Sequence, residues 1–565
     1  MTETTVFDVI VIGSGGAGMA AALFARLNGL SVLLVEHTQY LGGTTAFSAA
    51  TTWVPGSPLA ASVNAPADDI ERARVFLNQT VGNHSSAEMR EAFLRWGPQA
   101  IARLQNETQV QFRARPLHPD YIQEAEGASL CGRALEPLPF DGRALGKRLS
   151  LIRPPIPEFT ILGGMMIDRD DIAQLLKMTK SASAAWYAAK LIGRYGLDRL
   201  SHERGTRLVM GNALIGRMLA SLDALGAEIV TGASVEAFTV EAGKVAGVRL
   251  RQGNATRIIA ARRGVVMATG GFTRHETRRA AMLHSPTPEF SPAAPGHTGL
   301  IHDLALALGA QYGTGALDAA FWAPVSVRKR PDGSMAVFTH FVLDRGKPGT
   351  ITVNSAGQRF VNESTSYHLF VRAMYEANAR APSIPAYLIA DAQALRKYGL
   401  GMVRPGGRGL KPFLDDGYLV EAPTLTSLAG KLGIDAAGLE ASVRHMNEFA
   451  KTGVDTEFGR GSTAYHRVNG DAAQQPNPNL GPIVTAPFYA VRLLPGDIGA
   501  ATGLVTDQFA RVLRADGSAI AGLYAVGNDM QSVMGGVYPA PGITIGPGIA
   551  FAYAAATHLL ERNAV

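Results

Sequence analysis

The first fifty residues contain two apolar segments, a glycine-rich turn and an acidic residue in close succession. Residues 8–12 read Asp-Val-Ile-Val-Ile, an apolar run typical of a strand buried on both faces of a parallel sheet. The run leads into the turn 13–18 (Gly-Ser-Gly-Gly-Ala-Gly) and then into a helical stretch rich in alanine and leucine. A second apolar run, residues 31–35, ends in Glu36. This order of strand, turn, helix, strand and acid predicts a dinucleotide-binding βαβ unit.

Each part of the turn has a separate role in binding a dinucleotide. Gly13 allows the tight turn, Gly15 lets a pyrophosphate approach the backbone, and Gly18 lets the helix pack on the strand. Free N–H groups at the start of the helix attract phosphates. Glu36 lies 18 residues after Gly18, at the spacing expected of an acceptor for ribose hydroxyls. A glycine turn without a ligand is the alternative, and the position of Glu36 disfavours it.

Segments further along the chain favour FAD over NAD as the dinucleotide. Residues 41–48 (Leu-Gly-Gly-Thr-Thr-Ala-Phe-Ser) place small polar groups just past the acid, where they suit the pyrophosphate and ribityl oxygens of an extended flavin dinucleotide. Residues 264–271 and 522–529 are further short apolar strands that end in small residues. A nucleotide fold completed by the far end of the chain is typical of flavoprotein reductases. The predicted FAD-binding residues are Gly13, Ser14, Gly15, Gly16, Ala17, Gly18, Glu36, Gly42, Gly43, Thr44, Thr45, Ser48, Val235, Ala268, Thr269, Gly270, Gly527, Asn528, Thr544 and Ile545.

The length of 565 residues suits two or three domains, and 47% hydrophobic against 18% charged residues excludes disorder as the main state. We predict an α/β fold with a Rossmann-like FAD-binding domain of the fumarate reductase or glutathione reductase type. This domain spans residues 1–324 and 496–565, and an inserted α+β catalytic domain spans residues 325–495.

Composition also disfavours several classes of protein. The single cysteine, Cys131, excludes an intrachain disulfide framework and any cysteine-built metal site, and no metal-ligand spacing is seen. The net charge of +6 is dispersed, without the basic runs that bind nucleic acid. No cleavable signal peptide is evident, and residues 543–560 contain polar residues and a proline that favour a buried helix over a membrane span. We therefore expect a cytoplasmic protein.

Residues 170–207 form a basic segment with interleaved aromatic residues, among them Trp186. A basic amphipathic helix of this kind can lie in a membrane interface, which would place the protein on the inner face of the cell membrane. The alternative is a helical excursion docked on the protein itself with a solvated charged face. We favour the alternative because Gly193 and Gly196 interrupt the helical pattern.

Six blocks spread over nearly the whole chain resemble the 3-ketosteroid Δ1-dehydrogenase family, flavoproteins related to the fumarate reductase flavoprotein fold. The most specific block has a tyrosine before a proline-glycine turn that leads into Thr-Ile-Gly. The blocks are residues 93–97, 135–142, 359–364, 477–482, 487–491 and 533–546.

The resemblance implies an oxidation that introduces a C1=C2 double bond into ring A of a 3-ketosteroid such as androst-4-ene-3,17-dione or cholest-4-en-3-one. In that family a tyrosine base takes a proton from C2 while hydride leaves C1 for flavin N5, and an artificial or quinone-type acceptor reoxidises the flavin. By this resemblance the base is Tyr367, Tyr121 supports it, and the C3 carbonyl is bound by the Tyr538 O–H and the Gly542 N–H. Ala540 stands where the family has glycine, and we expect its Cβ near the pocket.

The residue types agree with this chemistry. A C2 hydrogen becomes acidic only if the C3 oxygen is stabilised as it becomes enolate-like, and a phenol and an amide can do so without a formal charge. A tyrosine base needs help, because the ordinary pKa of a phenol is about 10.

Two sister activities, a ketosteroid Δ4-dehydrogenase and a fumarate-reductase-like enoate reductase, remain alternatives. A binding protein whose flavin is structural is a third possibility. Dicarboxylate reductases need arginine and histidine clamps, whereas these blocks contain tyrosine, proline and glycine, which suits an uncharged polycyclic substrate.

Overall fold

The computed structural model describes residues 5–67 and 69–561. The strands are β1 (Thr5–Ile12), β2 (Val32–Val35), β3 (Thr52–Trp53), β4 (Phe112–Ala114), β5 (Ala134–Pro137), β6 (Phe140–Asp141), β7 (Arg207–Leu208), β8 (Glu228–Val230), β9 (Ala233–Glu241), β10 (Lys244–Gln252), β11 (Ala255–Met267), β12 (Ala320–Lys329), β13 (Met335–Thr339), β14 (Thr350–Val353), β15 (Ala386–Asp391), β16 (Leu419–Ala422), β17 (Phe488–Ala500), β18 (Arg511–Leu513) and β19 (Ala519–Ala525).

Fifteen α-helices are present in the described part of the chain. They are α1 (Gly16–Leu27), α2 (Asp69–Thr80), α3 (Ala87–Glu107), α4 (Arg169–Leu175), α5 (Ala182–Asp198), α6 (Met210–Ala224), α7 (Glu276–Met282), α8 (Leu300–Leu306), α9 (Tyr367–Asn378), α10 (Ala392–Tyr398), α11 (Lys411–Asp415), α12 (Leu425–Leu432), α13 (Ala436–Thr452), α14 (Ala464–Val468) and α15 (Ile545–Glu561).

The two N-terminal apolar runs form neighbouring parallel strands in an eight-stranded sheet. Its order is β18-β19-β11-β1-β2-β8, and β10 and β9 continue from β11. In the register, Ile12 of β1 lies beside Val35 of β2 and Met267 of β11, so three parallel strands end at the same level. Ligands of open α/β sheets bind outside these carboxyl ends. The helices α1, α15 and α3 pack in succession over this sheet.

A second sheet of six strands is built from residues between 320 and 500. Its order is β13-β12-β17-β15-β14, with β16 also paired to β17, and the pairings are antiparallel. The predicted fold class, a Rossmann-like sheet with a further α+β unit, is confirmed. The proposed division at residues 324/325 and 495/496 falls inside β12 and β17, so the second sheet extends a few residues beyond both proposed boundaries.

A buried ion cluster fixes the start of α9, where Tyr367 is the first residue. Arg359 lies 2.7 Å from Glu363 and 2.9 Å from Asp455, and all three side chains are almost fully buried. Arg460 also reaches Glu363, at 3.2 Å. These contacts hold the loop that precedes α9, so the position of Tyr367 depends on charges paired out of water.

The basic segment folds as two helices, α4 and α5, that dock on the protein. Asp171 is buried and lies 2.8 Å from Arg207, which closes the segment at its base. Gly193 and Gly196 lie inside α5 and do not interrupt it, so the expectation that they break the helical pattern is wrong. The neighbouring helical turns and the packing of buried residues on one face outweigh the low helix propensity of glycine. None of the helices in the described ranges is long and apolar enough to cross a bilayer.

We predict that Arg359→Met strongly destabilises the protein. The change leaves two buried carboxylates short of a cation, and breaking a buried pair in this way costs about 3–5 kcal/mol. The measurement is the urea midpoint of unfolding. Lys411→Met is the control, because Lys411 pairs with Asp415 on the surface and such pairs contribute little. Equal midpoints for the two variants would contradict the assignment.

Candidate active site

One cavity of about 1000 Å³ opens at the carboxyl ends of β1, β2 and β11 and continues towards the second sheet. We call its two parts the dinucleotide half, lined by residues 13–17, Glu36, residues 43–45 and residues 268–270, and the phenol half, lined by four tyrosines and Gly542. The tyrosines of the phenol half are Tyr121, Tyr367, Tyr465 and Tyr538. The two halves are continuous, so a ligand in one half adjoins a ligand in the other.

The glycine turn of the dinucleotide half leaves room for a ligand at one position and none at two others. A Cβ on Gly13, whose φ is +101°, would come within 2.3 Å of the Ala268 carbonyl oxygen. A Cβ on Gly18 would lie 1.9 Å from the Gly13 carbonyl oxygen. A Cβ on Gly15, in contrast, would meet nothing within 4 Å. The open space lies at the start of α1, where a pyrophosphate binds in dinucleotide folds.

Glu36 is buried at the end of β2, and its carboxylate already accepts four hydrogen bonds. One oxygen accepts from the backbone N–H and hydroxyl of Ser14, and the other accepts from the same two groups of Thr38. A carboxylate offers about four lone-pair sites, so ribose hydroxyls at Glu36 would replace the Ser14 or Thr38 hydroxyl.

The hydroxyls that follow Glu36 are also partly engaged within the protein. Thr45 Oγ1 accepts from the Gly16 N–H at 3.1 Å, and Ser48 Oγ donates to the Thr45 carbonyl at 2.9 Å. Thr44 Oγ1 accepts from Ala294 N–H at 2.9 Å. These groups shape the loop around the helix start as well as facing the cavity. Of all the predicted cofactor residues, only Gly18 and Gly42 do not line the cavity, because both pack inside the fold.

The buried carboxylate of Asp529 ties the C-terminal segment to the end of β11. It accepts from the Gly271 N–H and the Thr269 hydroxyl, each at 2.9 Å, and lies 3.0 Å from His302 Nε2. Burial raises the pKa of Asp529, but the contacts with His302 and Thr269 outweigh this effect. The pKa therefore lies below its ordinary value, and the group stays ionised. This anchor brings Gly527 and Asn528 to the cavity wall, where Gly527 lies beside Ala17 of the glycine turn.

Three tyrosines predicted to act in catalysis meet in the phenol half. The Tyr121 hydroxyl donates to the Tyr367 hydroxyl at 3.2 Å. The Tyr538 ring lies 5.1 Å from the Tyr367 ring and 5.8 Å from the Tyr121 ring. Residues at least 171 positions apart in the chain thus form one cluster.

The loop that carries Tyr538 is fixed from both sides. The backbone N–H of Tyr121 donates to the Pro539 carbonyl at 2.8 Å, and that of Trp53 donates to the Gly542 carbonyl at 3.1 Å. Gly542 has φ of +92°, and a Cβ there would lie 2.4 Å from the Thr51 carbonyl oxygen, so only glycine fits. Within the described ranges no group accepts from the Gly542 N–H, which leaves this donor for a ligand at the cavity wall.

Known proteins share both this fold and the full length of the chain. A family model described as FAD binding domain matches residues 8–545. The 3-oxosteroid 1-dehydrogenase of Mycobacterium tuberculosis is 35% identical over 98% of each chain. The chain belongs to the 3-oxosteroid 1-dehydrogenase family of FAD-dependent oxidoreductases.

Two further proteins are similar to this chain over nearly its whole length. A 4-oxocyclohex-2-ene-1-carboxylate 5-dehydrogenase of Sinomonas cyclohexanicum is 36% identical over 98% of this chain and 93% of its own. A crystal structure of the 3-ketosteroid Δ1-dehydrogenase of Sterolibacterium denitrificans, in complex with 1,4-androstadiene-3,17-dione, is similar with a TM-score of 0.92 and 34% identity, covering 99% of this chain and 100% of that one. The predicted family and FAD as the cofactor are confirmed.

Burial dominates the acidity of the phenols in this family member. It raises the pKa of Tyr367 and of Tyr121 well above 10, and the neighbouring phenols raise that of Tyr367 further. Burial also raises the pKa of Tyr538 to about 12, although the hydroxyls of Tyr367 and Thr544 lower it. The protein groups alone therefore do not lower the pKa of the base, because burial and the neighbouring phenols both raise the pKa of Tyr367.

Several cavity residues escaped the sequence reasoning. His297 faces the dinucleotide half 3.3 Å from Thr44 Oγ1, and burial lowers its pKa to about 4, so it is neutral. Arg153 binds Thr38 Oγ1 at 2.7 Å, and Tyr465 and Arg169 line the phenol half. No motif marks these residues, because each reaches the cavity through tertiary packing.

Ala540 does not stand at the pocket as the sequence led us to expect. It is fully buried in the core next to Tyr538 and does not line the cavity, so its Cβ leaves the pocket unchanged.

We predict that Gly15→Val abolishes stable FAD binding while the apoprotein still folds. The added carbons would fill the open space at the start of α1 without meeting protein atoms. The measurements are the ratio of flavin to protein absorption after purification and the circular dichroism spectrum. Gly430→Val is the control, because Gly430 also has open space around it but lies exposed on α12. Full flavin content in Gly15→Val would contradict the placement.

Proposed function

We propose that this protein catalyses the FAD-dependent 1,2-dehydrogenation of 3-ketosteroids, forming a C1=C2 double bond in ring A. The observation that carries the proposal is the pairing of a phenol, Tyr538, with the unengaged N–H of Gly542 at one wall of the cavity, beside the Tyr121–Tyr367 pair. The substrates that we propose are 3-ketosteroids such as androst-4-ene-3,17-dione or cholest-4-en-3-one, and the acceptor is an artificial or quinone-type oxidant.

The ketone oxygen is held by two uncharged donors in this arrangement. The Tyr538 O–H and the Gly542 N–H would both point at the C3 oxygen, where negative charge develops as the C2–H bond breaks. Donors that are fixed in a dry site stabilise such charge far more than they would in water. Their positions are set by the loop contacts of Tyr121 and Trp53 with residues 539 and 542.

Tyr367 takes the proton from C2 in this proposal, and Tyr121 stabilises the resulting arrangement through its hydrogen bond. When bound, FAD supplies the two-electron acceptor for the hydride that leaves C1. The proton and the hydride together account for the two hydrogens lost from the substrate. Burial keeps the pKa of Tyr367 high, so little of it is the reactive phenolate near neutral pH. The phenolate fraction increases as the pH rises.

The two sister activities differ in what they would require of this site. A Δ4-dehydrogenase would need the same ketone to present C4 and C5, and an enoate reductase would need cationic clamps on a carboxylate next to the reacting carbons. The Tyr538 ring packs against the two other phenols, Phe321 and His368. His368 is turned towards Asp318, 3.2 Å from its Nε2, and accepts from the Trp322 N–H, so this end of the cavity suits a neutral ring.

We predict that Tyr367→Phe and Tyr538→Phe keep bound FAD but lose turnover by roughly 100-fold or more, the usual contribution of a proton-transfer group or an oxyanion donor. The measurement is anaerobic bleaching of the flavin by androst-4-ene-3,17-dione, with the diene product identified by mass spectrometry. For the unsubstituted protein, kcat/KM is expected to rise with pH beyond neutrality.

Tyr375→Phe serves as the matched control, since its hydroxyl donates to the Pro286 carbonyl away from the cavity. Turnover near that of the control in both cavity variants would defeat the assignment. Failure to bleach with any 3-ketosteroid, together with reoxidation of reduced flavin by fumarate, would favour the enoate reductase.

We also propose that residues 162–200, here called the apolar patch, rest on the inner face of the cell membrane. Eight of the twenty large hydrophobic side chains exposed in the described ranges lie in this short stretch. Trp186 is 64% exposed, Leu200 is 83% exposed, and Lys190 stands over the Trp186 ring at 5.1 Å. Exposed apolar side chains among lysines are typical of interfacial helices.

The apolar patch adjoins the cavity. Ile172 belongs to the patch, is 40% exposed and lines the phenol half. An apolar steroid could therefore pass from the bilayer into the cavity without crossing bulk water. This geometry supports a membrane-facing entrance over a purely solvated face.

We predict that the triple variant Leu176→Ser, Trp186→Ser, Leu200→Ser loses flotation with vesicles that contain anionic phospholipid, because it removes the most exposed apolar area of the patch. The matched control is Val75→Ser, Val240→Ser, Val454→Ser, which changes exposed side chains elsewhere. If the unsubstituted protein does not float with the vesicles, or the two triple variants float equally, the membrane contact is refuted.

A further inference from the structure

Arg169 is a cation on the cavity wall without an anionic partner. Four arginines line the cavity. Arg113 lies 2.8 Å from Asp170, Arg251 lies 2.7 Å from Glu236, and Arg153 donates to Thr38 in the dinucleotide half. For Arg169 the described ranges hold neither an ion-pair partner nor a hydrogen-bond acceptor.

The carboxylates next to Arg169 are committed to other groups. Asp168 accepts from the N–H groups of residues 170 and 171 at the start of α4, and Asp171 binds Arg207. Asp170 pairs with Arg113 and with Arg115. The guanidinium of Arg169 is therefore open to solvent and to whatever enters the cavity.

The charge of Arg169 acts on the phenol half. Burial raises the pKa values of Tyr121 and Tyr465, and Arg169 is among the groups that lower both. Burial also lowers the pKa of the adjacent His118 to about 4, and Arg169 adds to that effect, so this imidazole brings no second charge. Arg169 thus stands as a solvent-exposed cation at the edge of the substrate space.

Tyr465 supplies a second unengaged group in the same cavity. It is 4% exposed, lines the cavity, and its ring packs 4.7 Å from the ring of Tyr121. Its hydroxyl is buried and has no hydrogen-bond partner in the described part of the chain. Buried hydroxyls are normally paired, and an acceptor on a ligand would satisfy this one.

We propose that Arg169 and Tyr465 form a carboxylate subsite, so that the ring ketones this protein prefers carry an acidic group at the part that reaches these two residues. The inference rests on the proposed dehydrogenation and adds to it the substrate class. A guanidinium binds a carboxylate through two parallel N–H donors, and the phenol adds a third. A neutral carbonyl would offer Arg169 no countercharge.

The test compares each acid with its own methyl ester, which retains the ring ketone but lacks the charge. A long pair is 3-oxoandrost-4-ene-17β-carboxylate and its ester, and a short pair is 4-oxocyclohexanecarboxylate and its ester. Kd from the change in flavin absorption and kcat/KM are measured for the holoenzyme. A preference for the acid of roughly 10- to 100-fold is expected in at least one pair, the range of a charge-assisted hydrogen bond.

Arg169→Gln is expected to bring the acid-to-ester ratio of that pair close to one, Arg169→Lys to keep part of it, and Tyr465→Phe to reduce it. Arg444→Gln, on an exposed face of α13, is the charge control and should keep the ratio. A ratio near one for both pairs in the unsubstituted protein would overturn the subsite, as would an unchanged ratio in Arg169→Gln. Turnover of androst-4-ene-3,17-dione by the unsubstituted protein reports the proposed function separately, since this substrate has no acidic group.

Discussion

The site depends on one buried carboxylate. Asp529 accepts from the backbone and side chain that end β11 and from His302, and no water reaches it. Each of these donors would be left unsatisfied in a low-dielectric interior if the C-terminal segment moved away. The segment is therefore held against the carboxyl ends of the parallel strands, and the wall that carries Tyr538 and Gly542 follows from that attachment.

The phenol half combines weak acids with dry surroundings. Three phenols whose ring centroids lie 5.1 to 5.8 Å apart can exchange hydrogen bonds without bringing a formal charge into the core. Burial makes each phenol a poorer acid, and this effect is also what makes a donor to a developing oxyanion effective. Arg169 adds a solvent-exposed positive charge to the cavity wall, so a substrate would meet both uncharged donors and a cation.

The dinucleotide half could be predicted because its determinants are local. The strand, the turn from Gly13 to Gly18 and Glu36 are close in sequence, and their spacing alone fixes their relation in space. The positions of Tyr121, Tyr367 and Tyr538 came only from the resemblance to a family, since no periodicity links residues so far apart. Tyr465 and Arg169 had neither signal. The predicted helix break at Gly193 and Gly196 is wrong because packing of the buried face of α5 overrides local propensity. The expected position of the Ala540 Cβ is wrong because its direction relative to the cavity is a tertiary property.

The C-terminal wall has a consequence for biosynthesis. Residues 527 to 545 complete a cavity whose glycine turn, residues 13–17, lies more than five hundred residues earlier in the chain. A nascent polypeptide emerging from the ribosome would thus display the phosphate-binding turn long before the C-terminal groups that line the same cavity exist. Stable flavin binding accordingly has to wait until these last lining residues have been synthesised, because the cavity is incomplete before then.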